Sequence, residues 1–107
     1  MKIEREIKGV AIIGGGTALL PLWRDCESPP NFNHILYYKG GKFRITEKTQ
    51  GVLMKSVSRL CHIAVECLDK NIPLVGGISI EPALREKVKI KWDKVEYRAE
   101  KIVRRRK

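Results

Sequence analysis

Residues 87–92 alternate strictly between lysine and large apolar side chains. Successive side chains of a β-strand point to opposite faces, so this segment has one basic face and one apolar face. The basic face consists of Lys87, Lys89 and Lys91. The pattern predicts a half-buried strand whose lysines lie in solvent, and therefore a sheet with at least one solvated face.

The residues that follow this strand fit two structures. Asp93 and Glu96 have the spacing of a helix capping box, and apolar residues at helical spacing come after them. Alternatively, a strand that folds back through Asp93 and the next residue pairs Trp92 with Val95 and brings Lys91 beside Glu96. We favour this hairpin because a single register satisfies both faces, and we expect Trp92 to lie in the core.

A glycine-rich segment separates two mostly apolar runs, residues 7–13 and 17–23. Glycine tolerates the positive φ of tight turns, so we interpret residues 14–16 as the turn of a β-hairpin. The segment resembles the start of the dinucleotide-binding fingerprint, but Leu19 stands where the third glycine is needed for helix packing. We therefore predict a hairpin here and no cofactor.

A second hairpin is predicted around another pair of glycines. Residues 35–38 and 43–46 are rich in apolar and aromatic side chains, and they flank a turn at Gly40-Gly41. In this register Tyr37 points away from the core. A further strand is predicted over residues 74–80.

The segment that begins at Thr46 predicts one long amphipathic helix ending near Asn71. Thr46 is a suitable N-cap, and apolar residues recur at helical spacing from Leu53 to Leu68. The predicted order of elements is ββββ-α-βββ. This is an α+β fold in which the helix packs on one face of a mainly antiparallel sheet.

Length and composition limit the class of protein. A chain of 107 residues suits a single α+β domain, which we place at residues 1–103, with a basic tail at residues 104–107. Three cysteines are too few and too odd in number for a disulfide framework, so we expect a reduced, cytoplasmic protein. Apolar runs are shorter than the ~20 residues of a membrane span, so we expect no membrane partner. Abundant charged residues are typical of thermophilic proteins.

Positive charge is concentrated in residues 85–107, which hold eleven Lys or Arg and four Asp or Glu, or +7 of the formal net charge of +10. A basic stripe attracts polyanions and releases counterions when it binds phosphates. We therefore predict a nucleic-acid-binding module, for RNA rather than DNA. The predicted phosphate-contacting residues are Lys87, Lys89, Lys91, Arg98, Lys101, Arg104, Arg105, Arg106 and Lys107. Since few aromatic side chains face away from the predicted core, we expect backbone contact rather than base readout.

Pairing with Glu96 and Glu100 is expected to neutralise part of this stripe. The charge that stays unpaired is expected at Lys89, at Arg98 and in the basic tail. A lysine-rich outer strand also has a purely structural explanation, because it keeps a sheet soluble and protects an edge from aggregation.

Two other functions fit parts of the sequence. The apolar glycine-rich strands suit the interface of a homo-oligomeric scaffold. A small enzyme acting on an anionic substrate is a third hypothesis, with His34 or Cys26 as participants near Gly76-Gly77. No residues have the spacing of a metal site or of a known catalytic motif, so we predict neither a metal ligand nor a catalytic residue.

Overall fold

Five strands, one short helix and three further strands follow one another in the part of the chain that the structure describes. A computed structural model describes residues 2–24, 30–40, 43–57, 61–80 and 84–101. The strands are β1 (Lys2–Lys8), β2 (Val10–Ile13), β3 (Leu20–Arg24), β4 (His34–Tyr38), β5 (Thr49–Met54), β6 (Leu74–Gly76), β7 (Leu84–Lys91) and β8 (Lys94–Lys101). The helix is α1 (His62–Asp69), between β5 and β6. No helix in these segments has the length and apolar character needed to cross a membrane.

The eight strands form one mixed sheet with the order β1-β8-β7-β3-β4-β5-β6-β2. Its four central strands, β3 to β6, run parallel to one another. The strands β1, β8 and β7 pair antiparallel, and so do β7 with β3 and β6 with β2. The prediction of a mainly antiparallel sheet is therefore wrong at its centre. Parallel strands are covered on both faces, which explains why their sequences are apolar at consecutive positions.

The predicted long helix is wrong, because its first part forms a strand. Thr49–Met54 is β5, among the parallel strands, and α1 spans only the eight residues His62–Asp69. Val52, Leu53 and Met54 are all completely buried. Three consecutive buried residues fit a strand covered on two faces better than a helix with one solvated side. The helical spacing in the sequence joins residues of two separate elements.

Neither predicted glycine hairpin forms in the described residues. β2 pairs with β6 rather than with β3, and residues 14–16 lie against the end of β7, where Gly16 bridges to Lys91. β4 pairs in parallel with β5, and residues 43–46 are not part of a strand. The strands next to each glycine run instead pair with strands farther along the chain.

Two apolar clusters divide the molecule into three layers. The first cluster lies between the antiparallel strands β1, β8 and β7 and one face of the parallel strands; it consists of Leu22, Ile35, Tyr37, Leu53, Val75, Ile78, Ile80, Val88, Ile90, Val95, Tyr97 and Ala99. The second lies between the other face of the parallel strands and α1; it consists of Leu36, Val52, Met54, Ile63, Ala64, Cys67, Ile72 and Leu74. The antiparallel strands therefore keep one face in solvent.

The C-terminal hairpin of β7 and β8 is confirmed, with a register that differs by two residues from the predicted one. Ile90 pairs with Val95, and Val88 pairs with Tyr97. A shift of two residues keeps each side chain on its predicted face, so these four residues are buried as expected. The shift also moves Trp92 from the ladder into the turn, where its φ is 61°.

Gly9 connects the two ends of the sheet. β1 and β2 stand at opposite ends of the strand order, yet Gly9 is the only residue between them. Its N–H donates to the carbonyl oxygen of Asp93 at 2.7 Å. A Cβ at this position would lie 2.5 Å from the carbonyl oxygen of Gly76. The strand order therefore closes on itself through a residue that has no room for a side chain.

Gly9→Ala is expected to lower the free energy of unfolding by about 1–3 kcal/mol, because the added methyl group meets backbone and buried side chains. Urea unfolding measures the change. Lys8→Ala, at the neighbouring exposed position, is the control and should stay within about 0.5 kcal/mol of wild type. Equal stability of Gly9→Ala and wild type would contradict the close approach of the two sheet ends.

Candidate functional site

A charged surface covers the solvated face of β1, β8 and β7, which we call the outer face. The strand register places its side chains in rows that run across the three strands. From the hairpin turn, the rows are Lys8, Lys94 and Lys91, then Glu6, Glu96 and Lys89, then Glu4, Arg98 and Lys87. We restrict the name outer face to these three rows, whose side chains the structure describes; their six cations and three carboxylates give a net charge of +3.

Three ion pairs neutralise half of the cations on the outer face. The nitrogen-to-oxygen distances are 2.6 Å for Lys91–Glu96, 3.4 Å for Arg98–Glu4 and 4.0 Å for Lys94–Glu6. The hydrogen bond between Lys91 and Glu96, which was predicted as a pair, raises the pKa of the lysine and lowers the pKa of the glutamate. All six side chains are at least 40% exposed. Solvent therefore screens these pairs, and they stabilise the fold little.

The other three cations of the outer face, Lys8, Lys87 and Lys89, have no such partner among the side chains that the structure describes. No carboxylate among the described residues lies within ion-pair distance of their ammonium groups. Lys8 and Lys87 are exposed, and Lys89 is half-buried. Positive charge without an ion-pair partner among the described residues therefore lies at Lys87 and Lys89 on β7 and at Lys8 on β1.

Four of the predicted phosphate-contacting residues come together on the outer face. They are Lys87, Lys89, Lys91 and Arg98. Lys101 is the last residue of β8, and residues 104–107 lie outside the described part of the chain. The expectation that Arg98 is unpaired is wrong, because β1 brings Glu4 to within 3.4 Å of its side chain.

Two cations of the outer face, Lys8 and Lys94, were not predicted. Lys94 was assigned to the turn, and the register shift places it in β8. The signal for β1 is the alternation over residues 2–8, where Ile3 and Ile7 stand between charged residues. Arg5 interrupts that pattern and is exposed at the edge of the sheet, where a charge protects the strand from pairing with other chains.

The predicted environments of Trp92 and Tyr37 are both wrong, because Trp92 is exposed and Tyr37 is buried. Trp92, expected in the core, is 64% exposed because the register shift places it in the turn. Tyr37, expected in solvent, is 2% exposed because β4 is covered on both faces. Its hydroxyl donates to the carbonyl oxygen of Ile78 at 3.1 Å and accepts from the N–H of Ile80 at 3.4 Å. The turn of the β7-β8 hairpin, next to the outer face, therefore has an exposed aromatic side chain.

His34, a candidate participant in an enzyme, is only 1% exposed. Its Nδ1 lies 3.0 Å from the carbonyl oxygen of Phe32, and its Nε2 lies 2.9 Å from Thr49 Oγ1. A carbonyl oxygen only accepts, so Nδ1 donates, and in the neutral ring Nε2 accepts from the threonine hydroxyl. Thr49 Oγ1 in turn accepts from the N–H of Thr46 at 3.2 Å. This chain of hydrogen bonds satisfies both nitrogens of an almost completely buried ring.

Cys67 is a poor nucleophile because it is buried. Cys61 and Cys67 are not bridged, as expected. Burial raises the pKa of the Cys67 thiol to about 12, so it carries no thiolate at neutral pH. Cys26 lies outside the described residues. In the described segments, no group of three or more His, Cys, Asp and Glu side chains is placed to hold a metal ion.

A buried ion pair connects β3 and β7 inside the sheet. Arg24 Nη2 lies 2.9 Å from Glu86 Oε1, and the glutamate side chain is 1% exposed. Burial raises the pKa of Glu86 above its ordinary value of 4.5, although Arg24 acts in the opposite direction. The Nε atom of Arg24 is buried and has no hydrogen-bond partner in the described structure. The hydrogen bonds of this pair therefore offset only part of the free energy that the two charges lose when they leave water.

A cavity of about 280 Å³ lies at the carboxyl ends of β4 and β5 and is lined by Tyr38, Lys39, Gly40, Lys55 and Ser56. Ligands of parallel sheets bind at this edge of the strands. The cavity is next to Gly77, whose N–H donates to the carbonyl oxygen of Ser56 at 3.2 Å. Its two ammonium groups suit a small anion, but His34 is not part of the lining.

Comparison of the chain with models of protein families, with curated proteins and with solved structures finds no match.

Thr49→Val is expected to lower the free energy of unfolding by about 1–3 kcal/mol, because it leaves the buried Nε2 of His34 without its hydrogen bond. Thr49→Ser keeps the hydroxyl and is the matched control; its loss should be smaller. Thermal or urea unfolding of the two variants measures the difference. A greater loss in Thr49→Ser than in Thr49→Val would show that the methyl group, and not the hydroxyl, matters at this position.

The raised pKa of Glu86 predicts a pH-dependent contribution to stability. Between pH 4.5 and the raised value, the folded protein binds this proton more tightly than the unfolded chain does. The contribution of Glu86 to the free energy of unfolding therefore falls as pH rises through this window. We expect the stability of wild type relative to Glu86→Gln to decrease over the same window in urea unfolding.

Glu66→Gln is the control for this pH series, because Glu66 is exposed on α1. Its stability relative to wild type should change little with pH. An increase in wild-type stability relative to Glu86→Gln with rising pH would contradict the prediction, because it would mean that Arg24 lowers the pKa of Glu86 more than burial raises it.

Proposed function

We propose that this protein binds nucleic acid, RNA in preference to DNA, through phosphate groups that contact the outer face. The observation that carries the proposal is the net charge of +3 on a solvated sheet face, on which Lys8, Lys87 and Lys89 lack acidic partners among the described residues. The remaining cations are in exposed ion pairs. A phosphate can replace the carboxylate in such a pair without leaving a buried charge behind.

The spacing of the lysines on β7 suits a linear polyanion. Alternate residues of a strand lie about 6.8 Å apart, so the line from Lys87 through Lys89 to Lys91 is roughly 14 Å long. Each strand of duplex DNA carries one phosphate per about 3.4 Å of helix axis, so a line of this length corresponds to about four intervals between phosphates. Neighbouring β8 adds Lys94 and Arg98 at a distance of about 4.8 Å from that line.

Contacts of this kind position a nucleic acid without reading its sequence. Binding is therefore expected to depend strongly on salt and weakly on base composition. The preference for RNA is supported by the type of surface, because an open sheet face is a recurring platform for RNA, and an exposed aromatic side chain lies in the adjoining turn. If the lysines of the outer face served only to keep the protein soluble, the protein would show no preference for RNA over DNA.

The homo-oligomeric scaffold remains an alternative proposal, but fewer residues support it. In the glycine-rich segment after Pro73, four apolar residues are buried within the chain itself: Leu74, Val75, Ile78 and Ile80. The exposed apolar residues elsewhere include Val10 on β2 and Val65 and Leu68 on α1. Light scattering separates the two proposals, since a strict monomer in solution contradicts the scaffold and has no bearing on nucleic-acid binding.

The double variant Lys87→Ala/Lys89→Ala is expected to bind RNA more weakly than wild type and with a smaller salt dependence. Each phosphate contact contributes about 0.7–0.9 to the slope of log affinity against log salt, so losing two contacts reduces the slope by about 1.5. Fluorescence anisotropy of a labelled RNA between about 50 and 200 mM salt measures both quantities. A DNA of the same sequence, measured in parallel, tests the preference for RNA.

The matched control is Lys48→Ala/Lys70→Ala, which removes the same charge from two exposed lysines that are not part of the outer face. This control should keep the wild-type slope. Equal losses in the two double variants would show that only the net charge matters. If wild type binds no RNA at the lowest salt concentration, the proposed function is wrong.

A further inference from the structure

Trp92 has an unusual backbone conformation at the turn of the β7-β8 hairpin. Its φ of 61° lies in the left-handed region, where bulky side chains are rare. Turn positions with positive φ are normally occupied by Gly, Asn or Asp. The side chain is 64% exposed and belongs to neither apolar cluster. Residues held in such conformations are concentrated at binding sites, so the position of this tryptophan calls for a functional explanation.

The chain on both sides of Trp92 is fixed by hydrogen bonds. Its N–H donates to the carbonyl oxygen of Gly15 at 2.9 Å, and the carbonyl oxygen of Asp93 accepts from the N–H of Gly9 at 2.7 Å. The six-membered ring of the indole lies against Gly14, so closely that a Cβ on this residue would overlap with it. The exposed ring is thus held in place before a ligand arrives, which reduces the entropy lost on binding.

Three lysines form the row of the outer face at this turn. Lys91 and Lys94 pair across the turn, and Lys8 pairs with Lys94 from β1. Of the three rows on the outer face, this row is the one without a carboxylate. Asp93, half-buried in the turn, is the acidic residue next to it in sequence. Proteins hold a single strand with this combination, in which cations contact phosphates while an aromatic ring stacks on a base.

We propose that Trp92 is a stacking platform for an unpaired base, and that the ligand of the outer face is single-stranded nucleic acid. This inference rests on the proposed function and narrows it. A base inside a duplex already stacks on its neighbours and presents only its edge, so Trp92 favours a single strand over a duplex. Every base has a π-face, so the preference concerns strandedness and not sequence.

Trp92 fluorescence reports stacking directly. The chain has two tryptophans, so Trp23→Phe leaves Trp92 as the single one. This substitution keeps an aromatic ring against Phe32, whose centroid lies 5.7 Å from that of Trp23. The variant is titrated with a short oligouridylate, with an RNA duplex of the same length and with inorganic polyphosphate. We expect the oligouridylate to quench the fluorescence and the other two ligands to leave it unchanged.

A comparison of affinities gives a second, independent readout. Trp92→Gly suits the positive φ and removes the ring, and it should weaken oligouridylate binding by about 5- to 150-fold, the range for loss of one stacked base. Polyphosphate affinity should not change. Trp92→Phe should retain part of the oligouridylate affinity. Leu68→Ala, which truncates an equally exposed apolar side chain on α1, is the control and should change neither affinity.

The results separate this inference from the proposed function. Oligouridylate and polyphosphate binding that Trp92→Gly leaves unchanged, without quenching in the single-tryptophan protein, overturns the stacking role alone. Quenching of equal size by all three ligands, or an equal loss of affinity for both ligands in Trp92→Gly, also overturns it. If wild type binds none of the three ligands, the proposed function and the stacking role are both wrong.

Discussion

Burial of the parallel strands on both faces is the constraint on which the rest of this structure depends. β4 and β5 lie between α1 on one side and the antiparallel strands on the other, and nearly all of their side chains are buried. The hairpin of β7 and β8 covers one of these faces with its apolar residues. Because side chains alternate along a strand, the same hairpin must turn its lysines outward. The charged outer face thus follows from the way the centre of the sheet is covered.

Segments with alternating side chains were predictable, and continuously apolar segments were not. In β7 the alternation determined the two faces, and a register shift of two residues left them unchanged. In β5 three consecutive apolar residues fit a buried strand or a buried helix equally well. Gly51 was the available signal against a helix, since it is a poor helix former, and a Cβ there would lie 2.6 Å from Ile90 Cδ1.

The candidate site was predictable only where it depends on a single strand. Lys87, Lys89 and Lys91 follow from their own alternation, whereas the position of Trp92 depends on the hairpin register. The carboxylates that neutralise part of the face come largely from β1, which pairs with the opposite end of the chain. No local pattern reveals that partner, because pairing between distant strands is decided by the surface they bury together.

Closure of the strand order through Gly9 determines when the chain can finish folding. β1 is synthesised before the other described strands, yet it pairs with β8, where Lys2 lies opposite Glu100. Such distant pairing slows folding, because the intervening chain loses entropy before the new contacts compensate for it. Until β8 emerges from the ribosome, both long edges of β1 are open to other chains. The charges along β1, including Arg5, then act as protection during synthesis as well as in the folded sheet.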